Sequence, residues 1–145
     1  MADAGSTKRA WAAEVEVTVP FYDLDPMEVV WHGNYAKYFE VARCALLEQI
    51  HYNYAEMKQS GFAWPVIDLQ VRYLQPLTFA QTVVVRAEIV EYEYWLKIEY
   101  AIRDKTTSMR LTKGSTRQVA VDLGTKRMSL QSPPILLARL GVVAT

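Results

Sequence analysis

The chain has 145 residues, of which 51% are hydrophobic, enough for one packed core and too few for two. Basic and acidic side chains number 16 each, and a formal net charge of zero excludes a general electrostatic pull toward nucleic acid or anionic membrane. Cys44, the single cysteine, excludes an intramolecular disulfide, "MADAGSTKRAW" lacks the apolar stretch of a signal peptide, and no apolar run approaches the ~20 residues that span a bilayer.

A cytoplasmic setting is therefore expected, with Cys44 as a small core residue on a helix. Residues 1–11 are read as a disordered N-terminus and 12–145 as a single domain. In "WAAEVEVTVPFY", Val15, Val17, Val19 and Phe21 alternate with Glu14, Glu16 and Thr18, the period of a strand with one buried face. Pro26 ends it in a loop, because the residue before proline is held away from helical geometry. From Asn34 the period becomes helical: Tyr35, Tyr38, Phe39, Ala42, Ala45, Leu46 and Ile50 share a face, which predicts about five turns. Asn34 is placed to cap this helix and Gly33 to let the chain enter it at an unusual angle. "HYNYAEMKQSG" predicts a shorter helix ending at Gly61, and "SPPILLARLG" a terminal helix started by Ser132 and Pro133.

Between them lie four strand-like segments, "WPVIDLQVRYLQP", "TVVVRAEIVEY", "EYWLKIEYAIR" and "LTKGSTRQVAVDL". Short polar turns such as "RDKTTS" favour antiparallel pairing, since a parallel crossover needs a dozen or more residues. An amphipathic helix of this length must bury its apolar stripe, and a curved antiparallel sheet of about five strands wrapped around it does so. The expected class is α+β.

Charge is uneven along the chain: residues 1–102 are net −6 and residues 103–145 net +6. Lys105, Arg110, Lys113 and Arg117 are candidates for a phosphorylated or acidic partner, or equally strand-edge charges that discourage aggregation. Trp95, Tyr92 and Tyr94 are more large aromatics than one face hides easily and point to an association surface, with some of them core. No G-x-S-x-G elbow, phosphate-binding glycine loop or zinc-ligand spacing occurs. No metal and no cofactor is expected.

The remaining chemistry sits in "FYDLDPMEVVWHGNY", residues 21–35, where Asp23 and Asp25 stand between an apolar strand and the start of the long helix. Backbone N–H groups at a helix start lack intrahelical partners and favour negative charge. A carboxylate beside them supplies a nucleophile or general base next to an oxyanion hole, the parts that hydrolyse a thioester. On spacing alone, Asp25 is equally a turn cap before Pro26.

The run "YDLDPMEVVWHGNYAKYFEVAR", followed by "WPVIDLQVRYLQP", resembles the hotdog-fold acyl-CoA thioesterases of the 4-hydroxybenzoyl-CoA thioesterase type, whose signature is D-x-D-x-x-G-[VI]-[VI], an aromatic pair, then N-Y. The resemblance covers residues 12–125. It implies a hotdog fold and hydrolysis of an acyl-CoA or acyl carrier protein thioester in acyl metabolism. Asp25 is then the nucleophile or general base, and the main chain of His32, with Gly33 beside it, polarises the thioester carbonyl. Asp23 orients the loop, and Trp31, Asn34, Tyr35 and Glu40 face the substrate or support the site, with Glu40 also placed to pair with Arg43. Glu28 stands where the family has glycine. If that glycine serves a positive φ, Glu28 strains the loop by on the order of 1 kcal/mol.

The resemblance also implies a homodimer or homotetramer, with no nucleic-acid or membrane partner. Tyr35, Tyr38, Phe39, Trp64 and Tyr73 either line an acyl pocket or fill it. Two other readings stand beside hydrolysis. One is a hydroxyacyl dehydratase, disfavoured because His32 lacks the H-F-P context; the other is a non-catalytic acyl-binding protein, to which Glu28 lends weight.

Overall fold

A computed structural model of the chain describes residues 11–142. Strand β1 (Ala12–Thr18) leads through 3-10 turns at Phe21–Asp23 and His32–Asn34 into helix α1 (Tyr35–Gln49). There follow α2 (Tyr54–Gln59), β2 (Phe62–Ala63), β3 (Val66–Tyr73), β4 (Thr82–Glu91), β5 (Leu96–Asp104), β6 (Arg110–Gln118), β7 (Val121–Asp122) and α3 (Pro134–Leu140). Five strands form one antiparallel sheet in the order β1-β4-β5-β6-β3. This is the expected α+β arrangement of a long helix against a five-stranded antiparallel sheet.

Helix α1 buries Tyr35, Tyr38, Phe39, Ala42, Leu46 and Leu47 against Val83, Val85 and Ala87 of β4 and Ile98, Tyr100 and Ile102 of β5. Each large apolar side chain so buried contributes about 1.5–3 kcal/mol before the opposing chain entropy. The Phe39 and Tyr100 rings stack with centroids 4.3 Å apart. Gly114 makes that approach possible, because a Cβ there would lie 2.6 Å from the Phe39 ring.

The structure departs from several sequence expectations. Trp11, assigned to the N-terminal tail, accepts the Ile89 N–H at 2.9 Å and sets its ring edge-on to Tyr92 at 5.5 Å; the rest of that tail lies outside the described residues. The last long strand breaks after Gln118, and its continuation, β7, pairs with β2 in a separate two-stranded sheet. Asn34 does not cap α1. Its amide instead donates back to the Asp23 carbonyl at 2.9 Å. Cys44, expected in the core, is exposed on α1. Helix α3 starts one residue later than expected, with Pro134 at its first position and Gly141 left-handed at its end.

Three of the eight basic residues after position 102 form ion pairs within the sheet. Arg103 pairs with Glu14 at 3.1 Å, Lys105 with Glu16 at 3.1 Å, and Arg117 with Asp68 at 3.5 Å while lying over the Trp95 ring. Arg110 and Lys113 stay exposed. Of the three aromatics expected on an association surface, Tyr92 packs against the core and Trp95 donates to Glu91, leaving Tyr94 exposed.

Candidate active site

The loop between β1 and α1 is folded by its own polar groups. The Asp25 main chain closes a tight turn, its N–H donating to the Val29 carbonyl at 2.8 Å and its carbonyl accepting from the Glu28 N–H at 2.9 Å. One carboxylate oxygen of Asp25, Oδ1, accepts the Met27 N–H at 2.8 Å and lies 3.5 Å from the Val29 nitrogen. Asp25 is thus both the turn cap and a candidate reacting acid: one oxygen is held by the turn, and no described residue donates to the other. Glu28 sits at φ 64°, in the left-handed region that favours glycine. The departure from the family motif therefore falls on a position whose backbone calls for glycine.

Asp23 is a structural acid. It is 3% exposed, and its carboxylate accepts from Lys37 Nζ at 2.6 Å and from the Tyr38 hydroxyl at 2.6 Å. Burial alone would raise its pKa, but the hydrogen bonds from Lys37 and Tyr38 and the charge of Lys37 outweigh burial and hold it below the usual carboxylate range. Burial, and then the hydrogen bond to Asp23, push the Tyr38 phenol well above its ordinary value. The Asp23 carbonyl also accepts the Trp31 N–H at 2.9 Å. Asp23 thereby ties both ends of the loop to α1.

A cleft of about 240 Å³ opens beside this loop, lined by Asp25, Val29, Val30, His32, Tyr35, Tyr73, Leu74, Gln75 and Pro76. Tyr35 is buried with its hydroxyl 3.4 Å from the Leu77 nitrogen, and its ring meets Tyr73 edge-on at 4.7 Å. Burial raises the Tyr35 pKa, and the nearby Tyr73 and Asp25 add to the rise. Tyr73 donates its hydroxyl to the His32 carbonyl at 2.8 Å. Among the described residues, the N–H groups of His32 and Gly33 have no acceptor, as befits the first turn of a helix.

Of the residues singled out in the sequence, the cleft brings together Asp25, His32 and Tyr35. Gly33 lies next to it, beneath the Trp31 ring; a Cβ there would fall 2.2 Å from the indole. This contact, rather than an unusual backbone angle, is what requires glycine. Trp31 covers Gly33 and does not line the cleft. Glu40 is not at the site: it pairs with Arg43, whose buried guanidinium also donates to the hydroxyls of Tyr54 and Tyr100 at 2.9 and 3.1 Å. Among the aromatic candidates Tyr35 and Tyr73 line the cleft, whereas Tyr38, Phe39 and Trp64 are core. The hydrogen bond from Tyr73 to His32 was not foreseen. Its only sequence signal is a tyrosine at the end of a strand just before "LQP".

Among the described residues no three His, Cys, Asp or Glu side chains converge to hold a metal, and no helix is long and apolar enough to cross a membrane.

Residues 19–140 match the family model described as the thioesterase-like superfamily. YneP of Bacillus subtilis (strain 168), provisionally named an acyl-CoA thioesterase, is 35% identical over 77 residues, covering 53% of this chain and 56% of that protein. The acyl-acyl carrier protein thioesterase ATL3 of Arabidopsis thaliana, a chloroplast protein, is 38% identical over 76 residues, covering 52% of this chain and 40% of ATL3. The chain thus spans about half the length of these relatives. Among solved structures, a DHNA-CoA thioesterase from Staphylococcus aureus superposes with a TM-score of 0.74 at 29% identity, covering 81% of this chain and 78% of that one. A 4-hydroxybenzoyl CoA thioesterase bound to 4-hydroxybenzoyl CoA superposes with a TM-score of 0.78 at 12% identity over 90% of this chain and 99% of that one, a likeness of fold.

Proposed function

Because the chain belongs to the thioesterase-like superfamily, we propose that its Asp25 cleft hydrolyses an acyl thioester of coenzyme A or of an acyl carrier protein, releasing a carboxylic acid and a thiol. The observation that carries this reading is the Asp25 carboxylate, lining the cleft with one oxygen fixed by the Met27 N–H, beside His32 in the 3-10 turn that leads into α1. Asp25 is only half-buried, so water reaches it, and we assign it as general base. It takes a proton from a water whose oxygen attacks the thioester carbon. The N–H groups of His32 and Gly33 receive the developing oxyanion, and its collapse breaks the C–S bond and expels the thiolate, which takes up a proton.

The names of YneP and of the S. aureus enzyme support coenzyme A as the thiol carrier, and that of ATL3 supports a carrier protein. A homodimer is the proposed assembly and the cytoplasm the proposed location, consistent with the free thiol of Cys44. The test is release of free thiol from short, medium, long and aryl acyl-CoAs. Thiol release supports the reading. An enoyl product from a 3-hydroxyacyl-CoA added to the panel, formed with loss of water and without thiol release, would replace it with a dehydratase, and binding without turnover with an acyl-binding protein.

A further inference from the structure

Most polar side chains of the Asp25 cleft have an evident place. Tyr73 donates to the His32 carbonyl at 2.8 Å, Asp25 Oδ1 is held by its own turn, and His32 and Gln75 are exposed. Tyr35 is different. It is 2% exposed, and its oxygen accepts from the Leu77 nitrogen at 3.4 Å, but its O–H proton has no acceptor among the described residues. A buried donor left open is costly and calls for a partner. Asp25 Oδ2 is its complement, an acceptor in the same cleft to which no described residue donates. We propose that one water molecule joins the two groups, accepting from Tyr35 and donating to Asp25, and that this is the water that attacks the thioester. Its catalytic role rests on the proposed thioesterase reading; the water site does not.

The backbone brings the two groups close. Val29 and Val30 are the middle of three short segments, bridged to Thr78 on one side and to Leu24 on the other. Asp25 Oδ1 lies 3.5 Å from the Val29 nitrogen, and the Tyr35 hydroxyl 3.4 Å from the Leu77 nitrogen, so the carboxylate and the phenol lie against neighbouring segments. Neighbouring strands run about 4.8 Å apart. A water making two O–H···O bonds joins oxygens about 4.5 Å apart, a span of the same order. The cleft, at about 240 Å³, has room for such a water beside a substrate.

Held in this way, the water has a defined orientation. One of its protons lies on Asp25, one lone pair takes the Tyr35 O–H, and the other lone pair is left for the thioester carbon. As the water oxygen bonds to that carbon, its proton passes to Asp25 and the carbonyl oxygen takes up charge between the His32 and Gly33 N–H groups; the C–S bond then breaks. Tyr35 itself gives up no proton. Burial raises its pKa, with Tyr73 and Asp25 adding to the rise, so it remains a donor at neutral pH.

Two measurements test the proposal. The first is a high-resolution crystal structure of the native protein and of Tyr35→Phe, which keeps the ring and removes the hydroxyl. A water within about 3.2 Å of both Tyr35 Oη and Asp25 Oδ2 is expected in the native protein and not in the variant. No such water in the native protein, or the same water unmoved in the variant, would overturn the site. The second is the partition of an acyl-CoA between water and added hydroxylamine. Hydroxylamine attacks the same carbon through its nitrogen, loses a proton to solvent and expels the thiol, giving a hydroxamic acid without use of the held water. Tyr35→Phe is expected to lower hydrolysis about tenfold, the worth of one hydrogen bond, with KM little changed. The ratio of hydroxamic to carboxylic acid should rise by the same factor, and this ratio does not depend on how much of a sample is folded. Tyr73→Phe, which frees the His32 carbonyl beside the oxyanion hole, is expected to lower both products alike. An unchanged ratio in Tyr35→Phe would overturn the role in attack. A native protein that holds the water and releases no thiol would fail the thioesterase reading and leave the water site standing.

Discussion

The hydroxyl of Tyr73 and the carbonyl of His32, 41 residues apart in the chain, are joined by a 2.8 Å hydrogen bond. A trans peptide points its C=O and N–H in opposite directions, so holding the His32 carbonyl also fixes the direction of the Gly33 N–H. Tyr73 is a positioning residue for the proposed oxyanion hole. Tyr73→Phe is expected to lower kcat about tenfold with little change in KM. Equal loss in KM alone would make Tyr73 a pocket wall and nothing more.

Gly33→Ala places a methyl group where the Trp31 ring lies, 2.2 Å from the ideal Cβ. The indole must move, and the first turn of α1 shifts with it. The expected outcome is a large loss of turnover that Trp31→Ala partly restores by removing the obstructing ring. If the double variant is no more active than Gly33→Ala, the clash is not what requires glycine.

Glu28, at φ 64°, holds a conformation that costs a residue with a Cβ about 1–2 kcal/mol. Glu28→Gly is expected to stabilise the protein by about 1 kcal/mol, a Tm rise of about 3 °C, after the extra chain entropy of glycine is subtracted. Thermal melts of the two proteins check this. An unchanged or lower Tm would mean that the Glu28 side chain stabilises the loop by as much as its backbone strains it.

The Asp23 carboxyl has a folded-state pKa below its unfolded value. Its contribution is therefore present above the unfolded pKa of about 3.9 and is lost as pH falls through the lower folded value. Asp23→Asn is expected to destabilise the protein by about 2 kcal/mol at neutral pH. It should also flatten the loss of stability in acid, as seen in urea melts between neutral pH and pH values of about 3. A parallel shift at every pH would assign the effect to packing instead of charge.

Much of this was legible in the sequence because it depends on periodicity. The alternation in "AAEVEVT" and the helical spacing from Tyr35 to Ile50 each bury one face, and a pattern of that kind reads the same in one dimension as in three. The break after Gln118 was not legible, because "VAVDL" continues the alternation while its hydrogen-bonding partners change from β3 and β5 to β2. Asp25 was visible as a candidate because its own turn is local. Tyr73 was not visible as a positioning group, since its partner lies on another element and only the sheet register brings the two together. Asn34 was misread as a cap for a related reason: a side chain near a helix start has several partners in reach, and Asn34 found the Asp23 carbonyl. The pairing of Glu40 with Arg43 was legible, because residues three apart on a helix are neighbours.

The most direct measurement is the rate of thiol release by native protein and by Asp25→Asn on the best substrate of an acyl-CoA panel, with thermal melts confirming that both are folded. Asparagine keeps an oxygen to accept the Met27 N–H but cannot take a proton from water. The account predicts turnover by the native protein and a fall of about 10²-fold or more in the variant. Equal turnover by the two proteins would contradict it.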